Sequence, residues 1–313
     1  MNMKLLVTNK YSEDEIKKIE SLGYEVIYMK ESKARFNEYI KDIEIIVGYN
    51  PFKTLDISML AKLKYIQLSS VGIDQIPKNE VIKNKIIVCN NKGNYSIPMA
   101  EYIVMYILNT YKNTKKTYEN QKNKNWKLDI KLEELTNKKI GFIGTGTIAK
   151  NSAKRLSPFG LEIYGVNTDG RCIKYFDKCV AIEDIDDVFR DCDIVVVTVP
   201  STELTIGMIN ESKFNLMKED SVFINVGRGN IVNERDLINC IGKFKGVCLD
   251  VFENEPLSIE SDLWDFDNVT ITPHNSWISN ENRERTFNCI YENLKRYKDN
   301  KQLENIVNIK KGY

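Results

Sequence analysis

Short apolar runs recur along the chain, and segments with helical spacing or polar loops separate them. In the N-terminal part these runs predict short buried strands, at Lys4–Thr8, Tyr24–Tyr28, Ile43–Val47, Tyr65–Leu68 and Lys85–Cys89. Between the first two strands, Glu13–Leu22 has helical spacing, and Gly23 ends this predicted helix. Strands that alternate with helices predict a parallel sheet with right-handed crossovers.

The same alternation resumes in the second half of the chain. Its apolar runs predict strands at Ile140–Ile143, Glu162–Val166, Asp193–Val199, Val222–Val226, Gly246–Val251 and Val269–Thr272. A closing helix is predicted at Glu281–Tyr297. The pattern as a whole predicts an α/β fold.

A long helix is predicted between the two series of strands, at Asn94–Thr110. Its segment Tyr102–Leu108 is apolar nearly all round, which predicts a helix buried between two domains. The polar segment that follows, Lys112–Leu132, predicts exposed helix and loop, in which Trp126 is expected to pack.

The length of 313 residues suggests about two domains. The closing helix can return to the first series of strands. We therefore predict one domain of residues 1–98 plus 284–313 and a second domain of residues 99–283.

The run Gly144–Ala149 has the pattern G-x-G-x-x-A and lies between a predicted strand and a predicted helix. A glycine-rich turn in any α/β domain can show the bare pattern, but this context is the one that a dinucleotide site requires. Gly144 permits the tight turn, and Gly146 lets a pyrophosphate approach the backbone. The amides of Thr147 and Ile148 would then face the anion at a helix N-terminus.

The end of the next strand predicts which dinucleotide is preferred. A carboxylate at this position binds the ribose of NAD, whereas an arginine nearby accommodates the 2′-phosphate of NADP. The chain has Asn167 at the acidic position and Arg171 in the same turn, so we predict NADPH over NADH. Asp169 keeps NADH as the alternative, because a small shift of the turn would bring it to the ribose.

The loop Ser69–Asp74 follows a strand of the first series. Open α/β sheets bind ligands at the carboxyl ends of their strands. The free amides of such a loop can bind a small carboxylate, although a plain strand-to-helix turn is the alternative. In the second series, four polar side chains follow successive strands, and these are Arg228, Asp250, Glu255 and His274. Side chains at these strand ends can converge on a bound nicotinamide.

Several motifs match those of a known family in order and spacing along nearly the whole chain. They are Ser69–Asp74, Gly144–Ala149, Pro200–Thr205, Ile224–Gly229, Leu249–Pro256 and Thr272–His274. With these motifs the chain resembles the D-isomer-specific 2-hydroxyacid dehydrogenases, which include glyoxylate/hydroxypyruvate reductases and phosphoglycerate dehydrogenases. Two departures are that Ala149 replaces the common third glycine and that Asn167 replaces the usual ribose-binding aspartate.

The resemblance implies two Rossmann-like, doubly wound parallel-sheet domains with the active site in the interdomain cleft. Residues 1–98 plus 284–313 would form a flavodoxin-like domain that binds the substrate, and residues 99–283 would bind the dinucleotide. The implied activity is NAD(P)H-dependent reduction of a small 2-oxo acid to the D-2-hydroxy acid, and the reverse. A homodimer is also implied.

The resemblance further assigns roles to individual residues. His274 would be the general acid and base, Glu255 its partner, and Arg228 the residue that holds the substrate carboxylate and polarises the carbonyl. Asp250 would contact the nicotinamide. The implied substrate contacts are Ser70, Val71, Gly72, Arg228 and His274. The implied cofactor contacts are Gly144, Gly146, Thr147, Ile148, Asn167, Arg171, Val199, Pro200, Thr205, Val226, Gly227, Arg228, Asp250, His274 and Ser276.

Elementary chemistry agrees with these roles. Reduction of a 2-oxo acid puts negative charge on the carbonyl oxygen, so a proton donor and a cation must already be in place. A carboxylate beside a histidine stabilises the imidazolium, and an arginine fork binds a carboxylate at two points.

Two other functions stay open. One is a dehydrogenase of an atypical acceptor such as formate or phosphite, and the other is a dinucleotide-sensing binding protein. The substrate side chain is open as well, with candidate pocket walls at Tyr49, Phe52, Met99 and Trp277. Glyoxylate, hydroxypyruvate, pyruvate and branched 2-oxo acids all fit this pattern. A phosphorylated acid ranks last, because no cluster of Arg or Lys lies near the substrate loops.

Charge and composition bear on partners and location. The net charge of +1 gives no basic field for nucleic acid or a membrane surface, and no apolar run reaches the roughly 18 residues of a transmembrane helix. The seven cysteines form no C-x-x-C pair and predict a reducing cytoplasm. With His274 as the only histidine, no metal site of the His/Cys kind is expected.

Overall fold

The structure is a computed structural model that describes residues 3–312. The chain divides into two compact units. The second unit is the continuous segment Ser96–Ile278, and the first is made of residues 3–95 together with 279–312. The predicted boundaries lie within a few residues of these, and the roles assigned to the two domains stay predictions.

The strands in chain order are β1 (Met3–Val7), β2 (Tyr24–Tyr28), β3 (Ile45–Gly48), β4 (Tyr65–Leu68), β5 (Ile87–Cys89), β6 (Lys139–Ile143), β7 (Glu162–Asn167), β8 (Lys178–Ala181), β9 (Ile194–Val197), β10 (Val222–Asn225), β11 (Gly246–Leu249) and β12 (Val269–Ile271). The α-helices are α1 (Glu13–Ser21), α2 (Lys78–Lys83), α3 (Ser96–Tyr111), α4 (Thr114–Lys122), α5 (Thr147–Leu156), α6 (Ile185–Asp191), α7 (Glu211–Leu216), α8 (Glu234–Cys240) and α9 (Asn280–Lys298). Short 3₁₀ turns lie between several of them.

The first unit contains a parallel five-stranded sheet in the order β2-β1-β3-β4-β5. This is the flavodoxin-like order. Its central strands are mostly apolar because both faces of the sheet are covered, and Leu5, Leu6, Ile45 and Ile46 have no exposed surface. The C-terminal helix α9 belongs to this core, where its apolar side chains pack with those of β1 and β3.

The second unit contains a parallel seven-stranded sheet in the order β12-β11-β10-β9-β6-β7-β8. The direction of winding changes between β6 and β9, which is the topological switch point where ligands bind in such sheets. All the strands are parallel, so their carboxyl ends, and the loops that follow them, share one edge. The predicted fold class, two Rossmann-like parallel-sheet domains, is confirmed.

Two predictions about the middle of the chain were wrong. Helix α3 is not buried all round: Ile103 and Ile107 are buried, but Met105 is 39% exposed. The apolar side chains outnumber the positions that face the interior of the second unit, so Met105 stays at the surface. Trp126 does not pack, because it lies in the loop after α4 with 99% of its surface exposed.

Among the helices of residues 3–312, none combines the length and apolar character needed to cross a membrane.

Candidate active site

The turn from β6 to α5 has the geometry that a bound pyrophosphate needs. Gly144 has φ +99°, and a Cβ there would lie 2.8 Å from Cγ1 of Val199, so both conformation and space require glycine. At Gly146 no atom lies within 4 Å of the Cβ position, which leaves the backbone open to a ligand. The amides of Thr147 and Ile148 are in the first turn of α5, where helices have no internal acceptors for them.

The loops after β9 and β10 pack against each other beside this turn. A Cβ on Gly227 would lie 2.9 Å from the carbonyl oxygen of Val199. The Thr205 hydroxyl donates to the carbonyl oxygen of Pro200 at 2.7 Å, which holds the polar loop after β9. The side chain of Val226 is buried below the loop. The cofactor contacts implied for these residues stay predictions.

The turn after β7 carries both a guanidinium and a carboxylate. The Asn167 side chain organises the turn, since its Nδ2 donates to the carbonyl oxygen of Arg171 at 2.9 Å and its Oδ1 accepts from the amide of Asp169 at 3.3 Å. Nη1 of Arg171 lies 2.6 Å from Oδ1 of Asp169, and both side chains are more than half exposed. A ligand phosphate can therefore reach Arg171, in competition with Asp169.

His274 and Glu255 form a direct pair at the carboxyl edge of the second sheet. Nδ1 of His274 lies 2.7 Å from Oε2 of Glu255, and about a third of each side chain is exposed. Burial alone would raise the pKa of the Glu255 carboxyl, but the hydrogen bond with His274 and the charges of His274 and Arg228 outweigh it, so the pKa is lowered. A carboxylate accepts the Nδ1–H proton, which leaves Nε2 for a substrate.

The backbone of His274 is left-handed, with φ +51°. Hydrogen bonds to Asp250, directly after β11, hold the turn that carries it. The His274 amide donates to the carbonyl oxygen of Asp250 at 2.8 Å. The fully buried Asp250 carboxylate accepts from the Thr272 hydroxyl, from the Asn275 amide at 3.0 Å, and from both the amide and the hydroxyl of Ser276. The Asp250 carboxylate and Ser276 thus shape the turn, and their implied contacts with the cofactor stay predictions.

Arg228 follows β10 at the same edge. Nδ2 of Asn225 donates to the Arg228 carbonyl oxygen at 3.1 Å, and Nη1 of Arg228 donates to the carbonyl oxygen of Gly227 at 2.8 Å. The next residue, Gly229, packs directly on the backbone of Phe252, since a Cβ there would lie 1.8 Å from the Phe252 carbonyl carbon. The loops that carry Arg228 and Glu255 are therefore in contact, as their positions at strand ends predict.

In the first unit, carbonyl oxygens of the loop after β4 accept hydrogen bonds, whereas two of its amides donate none to the described part of the chain. The Ser70 hydroxyl donates to the carbonyl oxygen of Gly72 at 2.8 Å, and Nδ2 of Asn90 donates to the carbonyl oxygen of Val71 at 2.7 Å. Within residues 3–312 the amides of Val71 and Gly72 have no protein acceptor. The loop is thus suited to an anion, and its contact with a substrate stays a prediction.

Comparison with known proteins agrees with this geometry. The family model described as D-isomer specific 2-hydroxyacid dehydrogenase, NAD binding domain, matches residues 104–276. A glyoxylate reductase of Thermofilum pendens is 33% identical over 74% of this chain and 71% of its own length. A D-3-phosphoglycerate dehydrogenase of Methanocaldococcus jannaschii is 31% identical over 98% of this chain, which spans 60% of that enzyme. The chain belongs to the D-isomer specific 2-hydroxyacid dehydrogenase family.

A solved structure of similar fold is a probable 2-hydroxyacid dehydrogenase from Rhizobium etli, with a TM-score of 0.84, 23% identity and full coverage of both chains. The resemblance drawn from the motifs is confirmed, and the chain is an NAD(P)-dependent oxidoreductase of this family. Its substrate and its catalytic residues are the subject of the proposals below.

Two polar residues beside the candidate site received no role from the sequence. Asn225, which is buried at the end of β10, was quoted within a motif but received no role. A polar residue that ends an apolar strand was the available signal. Asn275 has a buried Oδ1 without a hydrogen-bond partner in the described part of the chain, directly beside His274.

Proposed function

We propose that this dehydrogenase reduces a small 2-oxo acid to the D-2-hydroxy acid and catalyses the reverse reaction. The observation that carries the proposal is the 2.7 Å pair of His274 and Glu255, with Arg228 on the loop packed against that of Glu255. The nicotinamide supplies the hydride. His274 donates the proton from Nε2 to the carbonyl oxygen as the hydride reaches C2, and Glu255 stabilises the imidazolium that is present before the transfer.

The negative charge of the substrate is bound by two kinds of group, a guanidinium and backbone amides. The Arg228 guanidinium binds the carboxylate and polarises the carbonyl, which lowers the barrier because the developing oxyanion meets a cation already in place. The free amides of Val71 and Gly72, with Ser70 beside them, bind the carboxylate by backbone hydrogen bonds.

The test of the reaction is turnover of a panel of 2-oxo acids by the wild type and by His274→Ala. Loss of the general acid is expected to lower kcat by about 10²–10⁴-fold. Binding of NADPH, followed by its fluorescence, should persist in the variant. No turnover with any 2-oxo acid would contradict the proposal, and turnover of formate or phosphite alone, or tight NADPH binding without any reaction, would point to the two alternatives.

We also propose that NADPH is the preferred cofactor. Support comes from Asn167 at the acidic position and from the exposed guanidinium of Arg171. The related Rhizobium etli protein is in complex with NADP.

Arg171→Ala is expected to raise KM for NADPH by about tenfold or more and to leave KM for NADH nearly unchanged, since hydrogen bonds between charged groups contribute about 1.5–3 kcal/mol. Arg190→Ala is the matched control, because Arg190 also pairs with an aspartate, at 2.7 Å, and is similarly exposed. An equal change for both cofactors would reject the assignment.

A homodimer is the third part of the proposal. Met105 on α3 is exposed, and so are Trp126, Leu128 and Ile130 in the loop after α4, by 99%, 82% and 91%. An exposed apolar set of this size indicates an interaction surface, and we assign it to a second copy of the chain.

All seven cysteines are free, and a cytoplasmic location stays a prediction.

A further inference from the structure

A short turn, Phe252–Glu255, carries the carboxylate that binds His274. Glu255 is fixed within the turn, because its Oε1 accepts from the Phe252 amide at 3.1 Å while its Oε2 binds His274. The orientation of the histidine ring therefore depends on where the backbone of this turn lies. Contacts outside the His274–Glu255 pair hold that backbone in place.

A reciprocal pair of hydrogen bonds clamps the turn to the start of α8. The Glu253 amide donates to Oε1 of Glu234 at 2.5 Å, and the Glu234 amide donates to Oε1 of Glu253 at 3.0 Å. Glu234 is the first residue of α8, which is itself capped by Asn233. Each glutamate thus satisfies a backbone donor of the other segment.

The loop of Arg228 also packs closely on the same peptide. A Cβ on Gly229 would lie 1.8 Å from the carbonyl carbon of Phe252 and 2.4 Å from the amide nitrogen of Glu253. The Phe252–Glu253 peptide is therefore in contact with both Gly229 and Glu234. If Glu234 were lost, the turn could move only away from Gly229, and Glu255 would move with it.

The hydrogen-bonded pair lies in an acidic environment. Burial raises the pKa of the Glu234 carboxyl, and the nearby carboxylates of Glu253 and Glu255 raise it further. Like charges on these side chains disfavour their proximity, and the hydrogen bonds of Glu234 and Glu253 act against this repulsion. His274 and Arg228 act on Glu255 in the opposite sense and lower its pKa.

We propose that Glu234 is a positioning residue, which keeps Glu255 in place behind His274 through its hydrogen bond to the Glu253 amide. The inference rests on the proposed function of the His274–Glu255 pair. The Glu234 oxygen that accepts from the Glu253 amide holds the turn, whereas the negative charge of Glu234 repels the carboxylates of Glu253 and Glu255. Different variants can separate these two effects.

The test uses the fact that His274 is the only histidine of the chain. In ¹⁵N-histidine-labelled holoenzyme with NADP, the Nδ1–H proton that is bonded to Glu255 gives a single downfield resonance. Glu234→Ala is expected to broaden or shift this resonance and to lower kcat by about tenfold or more, because small misplacements of reacting groups are costly. KM for NADPH should change by less than about twofold, since α8 is not part of the cofactor loops.

Glu234→Gln retains an oxygen that can accept from the Glu253 amide, and it removes the charge. It should keep the resonance and most of kcat. Glu234→Asp keeps the charge but is too short to reach, so it should behave like the alanine variant and replaces it if that variant fails to fold. Glu211→Ala is the matched control, because Glu211 is likewise the first residue of a short helix capped by an asparagine, and it should change neither readout.

An unchanged resonance and kcat in folded Glu234→Ala or Glu234→Asp would overturn the proposal, as would a loss in Glu234→Gln equal to that in alanine. The resonance is read without turnover. A wild type that reduces no 2-oxo acid, but whose resonance responds to Glu234→Ala, would therefore contradict the proposed reaction and support the positioning role.

Discussion

Glu255 illustrates how single contacts decide the state of a residue. Partial burial disfavours its carboxylate, but the hydrogen bond with His274 and the nearby guanidinium of Arg228 favour it more strongly, so its pKa lies below the ordinary value of 4.5. The carboxylate is therefore present throughout the neutral range. It can only accept a hydrogen bond, and this fixes the proton of His274 on Nδ1 when the ring is neutral.

The lowered pKa of Glu255 predicts how the stability of the protein changes with pH. A carboxyl whose pKa is depressed in the folded protein stabilises it above the unfolded pKa, and this contribution is lost as pH falls through the folded pKa. The free energy of unfolding of Glu255→Gln, measured in urea, should thus be lower than that of the wild type near pH 7. The difference should shrink below about pH 4.5, and a difference that grows towards acid would refute the assignment.

At the scale of elements, the turn after β12 is built around one buried carboxylate. Asp250 satisfies donors from Thr272, Asn275 and Ser276, and the Thr272 hydroxyl also bonds the Tyr106 hydroxyl of α3 at 2.5 Å. The turn is therefore tied to a helix as well as to the strand before it. This explains how a non-glycine residue such as His274 keeps a left-handed backbone.

Asp250→Ala should destabilise the second unit by about 3 kcal/mol or more, because several buried donors lose a charged acceptor at once. Urea unfolding monitored by tryptophan fluorescence measures this. The exposed Asp265→Ala should have an effect within about 0.5 kcal/mol of zero. Equal stability of the two variants would show that the turn does not depend on Asp250.

Much of this element-level structure is readable from the sequence. Strands such as β3 and β9 are buried on both faces and so appear as continuous apolar runs. The strand β8 escaped prediction because it lies at the sheet edge, is only partly buried and begins with Lys178, and α6 and α7 are too short for a helical period to appear. Side chains at strand ends were predictable since parallel strands share an edge.

The hydrogen bonds within the candidate site were not predictable in the same way. The hydrogen bond between Glu234 and Glu253 joins the start of α8 to a loop, and no sequence period relates the two. The Asp250 carboxylate accepts hydrogen bonds from the turn after β12, and these depend on a backbone conformation that the sequence does not show. The exposure of Trp126 escaped prediction for a similar reason, because an aromatic residue in a polar segment looks the same whether it packs within the chain or stays at its surface.

At the scale of the whole molecule, the proposed dimer is open to direct measurement. The chain mass is 36.3 kDa, and light scattering after gel filtration should give about twice this value. Trp126→Asp and Ile130→Asp are expected to shift the mass towards that of one chain, because a buried unpaired charge is unfavourable in an apolar interface.

Ile259→Asp is the control for the dimer, since Ile259 is 93% exposed but lies elsewhere in the second unit. It should leave the mass unchanged. A wild type with the mass of a single chain would remove the dimer and leave the exposed apolar set to another partner.

The first unit is assembled from two distant parts of the chain, and this sets an order of events during synthesis. Its sheet emerges from the ribosome before Ser96–Ile278, whereas Phe287, Ile290 and Leu294, which complete its core, emerge afterwards. At ordinary translation rates the delay is roughly 10–40 s. The segment that starts later is thus the first that can fold completely, and the nascent N-terminal sheet lacks these side chains of its core until α9 has emerged.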